Sequence, residues 1–379
     1  MANIFLVGYA NVAMGLRGMD SFQVGIAFSG GAVMAILFQM ITAFFMDRYP
    51  AVSPKRTITV MSAVTIVMAF MLNKRELSIS TVLILYMTAI GAEISLDTVI
   101  YTMAMELMNC GEQLNFGLCR GIGSISYAVI MVVSGYFLSW IGYQNLMMVF
   151  IVLQIFFIAM VLQIDSPRMG KQENYSKSGY IAFLNQNRII SVFLIGITLL
   201  SMCSVIIENF QINILRELGS DERMMGISRG LSALIEFPVM CSFFFLRKKL
   251  NIRQILIIAM TVCCIRSGIY AFAESVSGVL IAQGVQGMAF ALYNLSSACF
   301  VNELISLEDV AKGQAVIGIA TRGVGGIMAN VLGGYLIART DVQVALNLCF
   351  ILTLIGAGII AGVAIWPDSK NEKRGKRLC

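Results

Sequence analysis

Long apolar runs, separated by short polar breaks, follow one another along almost the whole chain. They fall at about 2–16, 22–46, 57–73, 79–107, 116–141 and 143–164, then at 189–214, 222–246, 254–273, 277–301, 313–338 and 342–366. Most match the ~20 residues that carry an α-helix across the hydrocarbon core of a bilayer. They are far longer than the roughly 10 residues of a barrel strand, and they do not alternate. Lipid offers no partners to backbone N–H and C=O groups, so helices are the remaining way to cross it. The pattern predicts an all-α integral membrane protein with about 12 transmembrane helices, the first of them short. The predicted domains are a six-helix bundle over 1–164, a polar linker over 165–188, a second six-helix bundle over 189–366, and a basic tail over 367–379.

Composition sharpens this picture. The chain is 58% hydrophobic and only 13% charged, whereas about a quarter of an average soluble domain is charged. The net charge of +6 reads as basic cytoplasmic loops rather than as a nucleic-acid footprint. One set of loops holds Arg48, Lys55, Arg56, Arg168, Lys171, Lys177, Arg188, Arg247, Lys248, Lys249, Arg253, Lys312 and the basic tail. The opposite set holds only Arg17, Lys74, Arg75, Arg216, Arg223 and Arg339. The richer set is expected in the cytoplasm, with both termini and the linker. The chain has no His, which removes imidazole acid–base chemistry, Ser–His triads and the usual zinc sites. No enzyme activity, cofactor or metal is expected. The nine Cys have no metal-ligand spacing and read as small apolar residues. Met1 to Gly15 lacks a basic leader segment, so no cleaved signal peptide is expected.

The halves resemble each other. Val24-Gly25-Ile26 stands where Met225-Gly226-Ile227 stands in the second half, and without a gap Ala32 then meets Ala233. Ser134-Gly135-Tyr136 likewise matches Gly333-Gly334-Tyr335. The second span thus pairs with the eighth and the fifth with the eleventh. A duplicated unit is a sequence sign of a transporter with its site between the halves; the competing explanation is chance similarity among apolar helices. Gly121, Gly123, Gly323, Gly325, Gly326, Gly333 and Gly334 cluster on the fifth and eleventh spans. Small residues there allow close helix approach, either as plain packing or as a gating contact.

Ionisable residues inside apolar spans are the candidates for chemistry, since each costs about 2.5–3.5 kcal/mol at a helix centre. They are Glu93, Asp97, Glu106 and Arg120 in the first half, and Glu208, Arg229, Glu236, Arg266 and Arg322 in the second. Arg120, Ser124 and Tyr127 share one helix face. They suit a sugar, with a guanidinium for hydroxyls and a ring for the apolar face of a pyranose. The alternative is an Arg120 neutralised by Glu93, Asp97 or Glu106, with Tyr127 as packing. Glu208, Arg266 and Arg322 are expected to form a buried cluster that holds helices in register or binds an anion. Glu236 is a ligand acceptor, a proton carrier or a partner for an arginine.

These features together resemble the major facilitator superfamily, and within it the lactose-permease-like oligosaccharide:proton symporters. Gly25-Ile-Ala-Phe28, Leu37-Phe38-Gln39 and Asp47-Arg48 look like that family's second helix and the gating loop after it. Asn115-Phe116-Gly117 followed by Arg120 resembles its helix-five signature. Phe290-Ala-Leu-Tyr293, Asn302-Glu303-Leu304 and Gly313-Gln314 look like the tenth helix and the following loop. The resemblance implies sugar contacts at Arg120, Ser124, Tyr127 and Glu236. Thr102 stands where the family has a second sugar-binding Glu, and Glu106 lies one turn later. It implies a charge network of Glu208, Arg266 and Arg322. Gln286 and Ala289 stand where the family has its proton-coupling His and Glu, so the proton carrier would be Glu236, Glu106 or Asp97. Relative to the family, the first half of helix one is absent. Val132-Val-Ser-Gly-Tyr136 lacks the Pro of the drug:proton antiporters.

The expectation is a plasma-membrane permease that moves a small polar solute, a sugar first, by proton-coupled alternating access, as a monomer in the bilayer and without nucleic acid. A permease for a nucleoside or an aromatic or organic anion is the alternative within the same fold. A non-transporting sensor or decayed permease is the alternative outside it.

Overall fold

The computed structural model describes residues 2–49, 52–74, 76–109, 116–164, 180–305 and 309–366, and their side chains except at 47, 105–106, 108–109, 116–121, 180–182 and 311. Most of the expected linker and the whole of the basic tail lie outside the described residues. The described chain is helical, without strands. Among the described residues, eleven helices are long and apolar enough to cross a membrane.

The first half contains a π-helical Ile4–Gly8, then α1 (Ala10–Gly15), α2 (Ser21–Arg48), α3 (Pro54–Leu72), α4 (Ile79–Asn109), α5 (Phe116–Ile141) and α6 (Leu146–Gln163). The second contains α7 (Tyr180–Gln186), α8 (Arg188–Asn209), α9 (Gln211–Glu217), α10 (Glu222–Lys249), α11 (Ile252–Ala271), α12 (Val276–Leu304), α13 (Val310–Gly318), a π-helical Ile319–Gly325, α14 (Gly326–Arg339) and α15 (Val342–Ile365). Three sequence expectations change. The first span is two short segments and falls below crossing length. The seventh breaks at Phe210, giving α8 and α9. Part of the stretch read as linker is the helix α7, because Phe183 gives it an apolar anchor, 2% exposed in the second-half core.

Helix starts are fixed by side chains that satisfy the otherwise unpaired first N–H groups. Asp20 accepts from the Gln23 N–H at 2.8 Å while the Gln23 amide oxygen accepts from the Asp20 N–H at 3.1 Å. Asn251 and Gln254 make the same reciprocal pair at the start of α11. Helix ends are closed by cations, which suit the negative end of the helix dipole. Lys55, at the start of α3, donates to the carbonyls of Leu162 and Ile164 at 2.8 and 2.7 Å. Arg253, at the start of α11, donates to those of Ala364 and Trp366 at 3.2 and 2.6 Å. The third and sixth spans are thus tied in the way the ninth and twelfth are, a further likeness between the halves.

The halves meet along α2 against α14 and α5 against α10. Both contacts lie toward the end where α2 and α10 begin. A side chain on Gly25 would meet the Asn330 carbonyl, and one on Gly334 would lie 2.5 Å from the Ser21 carbonyl. On the other pair, a side chain on Gly226 would lie 2.5 Å from the Met131 carbonyl and 3.2 Å from the Gly135 Cα. The four glycines of the two matched motifs are therefore each other's neighbours across the halves. Hydrogen bonds cross the same seam. Asn11 donates to the Asn209 carbonyl at 2.7 Å and to Asn213 at 2.9 Å, Asn213 donates to Ser21 at 3.0 Å, and Ser29 donates to the Ile327 carbonyl at 3.1 Å.

The apolar core has the same polarity. At the seam end Leu6, Met14, Val24, Met131, Phe210 and Met225 belong to one cluster that runs through both halves. Toward the other end the core divides. Phe193, Leu256 and Phe300 pack within the second half, and Ile58, Leu96 and Val161 within the first. The molecule is closed at one end and parted at the other.

Adding a side chain at the seam should open it. Overpacking costs about 1–3 kcal/mol, enough to move a two-state population by about one to two decades. We expect Gly226→Val to lengthen spin-label distances between the seam-end termini of α5 and α10. Unchanged distances would show that the seam yields without opening.

Candidate functional site

The α5–α10 seam stops where a side chain on Gly230 would lie 3.0 Å from the Ala128 carbonyl. One residue further on, at Tyr127, a cavity of about 640 Å³ begins. The first half lines it with Tyr101, Met103 and Leu107 of α4 and Gly123, Ser124 and Tyr127 of α5. The second half contributes Glu208 of α8, Arg229, Ser232 and Glu236 of α10, and Gln283, Gln286 and Phe290 of α12. The α10 and α12 sets each follow i, i+3, i+7 spacing, which places three side chains on one helix face.

Arg229 lies at the seam side of the cavity. The break at Phe210 leaves the last carbonyls of α8 without helical donors, and in an apolar setting these need other partners. Asn11 serves Asn209, as above. Arg229 serves Glu208, donating to its main-chain carbonyl. Its Nε donates to the Gln211 amide oxygen at 3.0 Å, and a terminal nitrogen donates to the Gly8 carbonyl at 3.2 Å. One guanidinium therefore joins the first helical segment to α8, α9 and α10.

In the cavity wall, Gln286 stands between opposite charges. Its NH2 donates to a Glu208 carboxylate oxygen at 3.1 Å, and its carbonyl oxygen accepts from Arg266. Arg266 is 3% exposed and also donates to Ser204 at 3.0 Å. The amide keeps the charges apart while giving each a partner, which limits the penalty for burying them; the Arg266 Nε has no partner among the described residues.

Of the residues expected from sequence, Ser124, Tyr127, Glu208 and Glu236 come together in the cavity, and Arg266 reaches Glu208 through Gln286. Arg322 stands within electrostatic range of Glu208 and of Asp97 in the other half, without a direct bond to the group. It is exposed on the π-helical Ile319–Gly325, and no hydrogen bond or ion pair among the described residues links it to Glu208 or Arg266. Asp97 is exposed on α4, is not among the cavity-lining residues, and stands within electrostatic range of Arg322. Glu93 is buried within the first half, accepting from Gln154 at 2.9 Å. Thr102 donates to its own helix, to the Thr98 carbonyl at 3.0 Å, and does not line the cavity. Arg48 is exposed in the last turn of α2. The side chains of Arg120, Glu106 and Asp47 lie outside the described residues. Sequence reasoning named Arg229, Gln286 and Phe290 separately but not Ser232 or Gln283, and did not join the five; their shared spacing was the available signal.

Residues 5–348 match the MFS_1 like family, and the chain belongs to that family. None of the curated proteins matches it by sequence. Among solved structures, a point mutant of the nucleoside transporter NupG superposes with a TM-score of 0.83, at 18% identity and over 96% of each chain. NupG itself gives 0.78 at 17% identity, over 97% of this chain and 98% of that one. An inward-facing, unoccupied bacterial homolog of the human lysosomal transporter Spinster gives 0.68 at 13% identity, over 96% and 94%. Family and fold are those of a multi-pass membrane carrier of the major facilitator superfamily.

Removing the Gln286 amide would leave Arg266 buried beside no carbonyl and Glu208 without its donor. We expect Gln286→Leu to destabilise the protein by about 3–5 kcal/mol, the usual cost of stranding a buried charge, read as a lower melting temperature. An unchanged melting temperature would mean that Arg266 finds another acceptor.

Proposed function

We propose that the protein is a secondary transporter that carries a neutral, hydroxyl-bearing ring compound, a nucleoside before a sugar, by alternating access. The supporting observation is the cavity itself. Carboxylates and carboxamides of α8, α10 and α12 face the rings of Tyr101 and Tyr127 across it. Carboxylates accept from ribose hydroxyls, carboxamides match the donor–acceptor edge of a base, and aromatic rings stack on its face. Among the described lining residues, Glu208 and Glu236 outnumber Arg229, which disfavours an anion. The fold shared with a nucleoside transporter makes nucleosides the first class to test. A sugar remains the second reading, because Ser124, Tyr127 and Glu236, the positions implied by the permease resemblance, converge here.

In this reading two bundles, about 1–164 and 189–366, rock about the cavity. The parted end faces the cytoplasm, since Arg48, Lys55, Arg247, Lys248, Lys249 and Arg253 lie there. The protein acts as a plasma-membrane monomer with both termini inside. Uptake is proton-coupled, and Glu236 carries the proton while Glu208 is held by Gln286.

Reconstituted protein should take up labelled uridine or adenosine faster than lactose, and an imposed inward proton gradient should drive accumulation. Uptake of lactose alone would sink the nucleoside reading. Losing a charged hydrogen bond costs about 1.5–3 kcal/mol, so Glu236→Gln should weaken solute binding by about tenfold or more. If the variant accumulates solute as the wild type does, Glu236 is neither the ligand acceptor nor the proton carrier.

A further inference from the structure

A second cavity, of about 460 Å³, lies at the seam end of the first half, where α1, α3, α4 and the turn between α5 and α6 meet. Its polar lining is Arg17, Asn73, Tyr86, Tyr143, Gln144 and Asn145. No Asp or Glu is present among the described lining residues, so its charge is that of one guanidinium. Arg17 donates to the Leu72 carbonyl through one nitrogen; no other hydrogen bond engages it among the described residues. Tyr86 is 1% exposed overall and lines the cavity, and no hydrogen bond to the described residues engages its hydroxyl. A hydroxyl that opens onto a cavity without a protein partner is free to bond whatever enters. Leu72, Leu77 and Met147 make the remaining wall apolar.

We propose that this cavity is a second ligand site, separate from the transport cavity, for a small organic anion. The acidic head lies on Arg17 and the Tyr86 hydroxyl, and the apolar body lies along Leu72 and Met147. The site is connected to the seam. Tyr143 lines the cavity, its ring centroid is 6.2 Å from that of Tyr9, and its hydroxyl donates to the Gly135 carbonyl at 3.3 Å. Tyr9 in turn is hydrogen-bonded to Ser134 at 3.1 Å, beside the Gly135–Gly226 contact. An occupant braces Tyr143 and favours the state closed at this end.

The test is titration of benzoate, with benzamide as its neutral counterpart, into purified protein in neutral-lipid nanodiscs. We expect benzoate to bind and benzamide not to. Loss of a charge-assisted hydrogen bond is a large effect, so Arg17→Gln should weaken benzoate by about tenfold or more. Tyr86→Phe, which keeps Arg17 and the fold, should weaken it severalfold. Glu236→Gln should leave benzoate binding unchanged, which separates this site from the transport cavity. Nanodiscs containing phosphatidylglycerol distinguish two sources of the same chemistry. Weaker benzoate binding there, abolished as a difference by Arg17→Gln, assigns the natural occupant to a lipid head group; equal binding assigns it to a soluble anion. Benzoate that binds no better than benzamide, or binding that both Arg17→Gln and Tyr86→Phe leave intact, overturns the proposal.

Discussion

Close backbone contact between the halves is the constraint on which the rest of the molecule depends. Gly25 lies against Gly334 and Gly226 against Gly135; at Gly25, Gly226 and Gly334 a side chain would occupy space already filled by main chain, and at Gly135 it would be tightly crowded by it. In lipid, helix association gains little from the hydrophobic effect and relies on packing and hydrogen bonds. Backbones this close bring Asn11, Ser21, Ser29 and Asn213 within bonding distance across the seam. They also merge the two apolar cores at that end. Where the glycines stop, the helices diverge, and the space released is the cavity.

Polar groups in that cavity are managed by neutral intermediaries. Arg229 is engaged by two main-chain carbonyls and an amide, and Arg266 reaches Glu208 through an amide. Direct ion pairs among the described residues instead sit nearer the helix ends, as with Arg247 and Glu303 at 2.7 Å. A buried charge satisfied by dipoles keeps its field available to an incoming solute. A buried charge in a direct pair has largely spent it.

Much of the fold was legible because a bilayer imposes a length on every crossing helix. The limits of that signal are visible in the first and seventh spans. Hydropathy sees Ile4 to Gly15 and Ile189 to Ile214 as continuous, but cannot see the breaks near Gly8 and Phe210, which depend on where carbonyls find side-chain donors. The repeat was readable at Gly25, Gly226, Gly135 and Gly334, while their cross-pairing required the third dimension. In the site, Ser124, Tyr127, Glu208 and Glu236 were readable from charge and face. Gln283 and Phe290 were not, because neutral amides and aromatic rings in apolar helices carry no large insertion penalty to draw attention. Arg322 was readable by its charge, and it stands within electrostatic range of Glu208, but its exposure on the π-helical Ile319–Gly325 was not.

The seam has an electrical consequence. The hydrogen bonds that cross between the halves at the closed end join amides, hydroxyls and carbonyls, with Arg229 the one ion among those described. Mobile ions screen charges and leave neutral dipoles almost untouched. The closed end is therefore a latch that ionic strength does not loosen, and a change of salt at that surface leaves the ease of opening nearly constant.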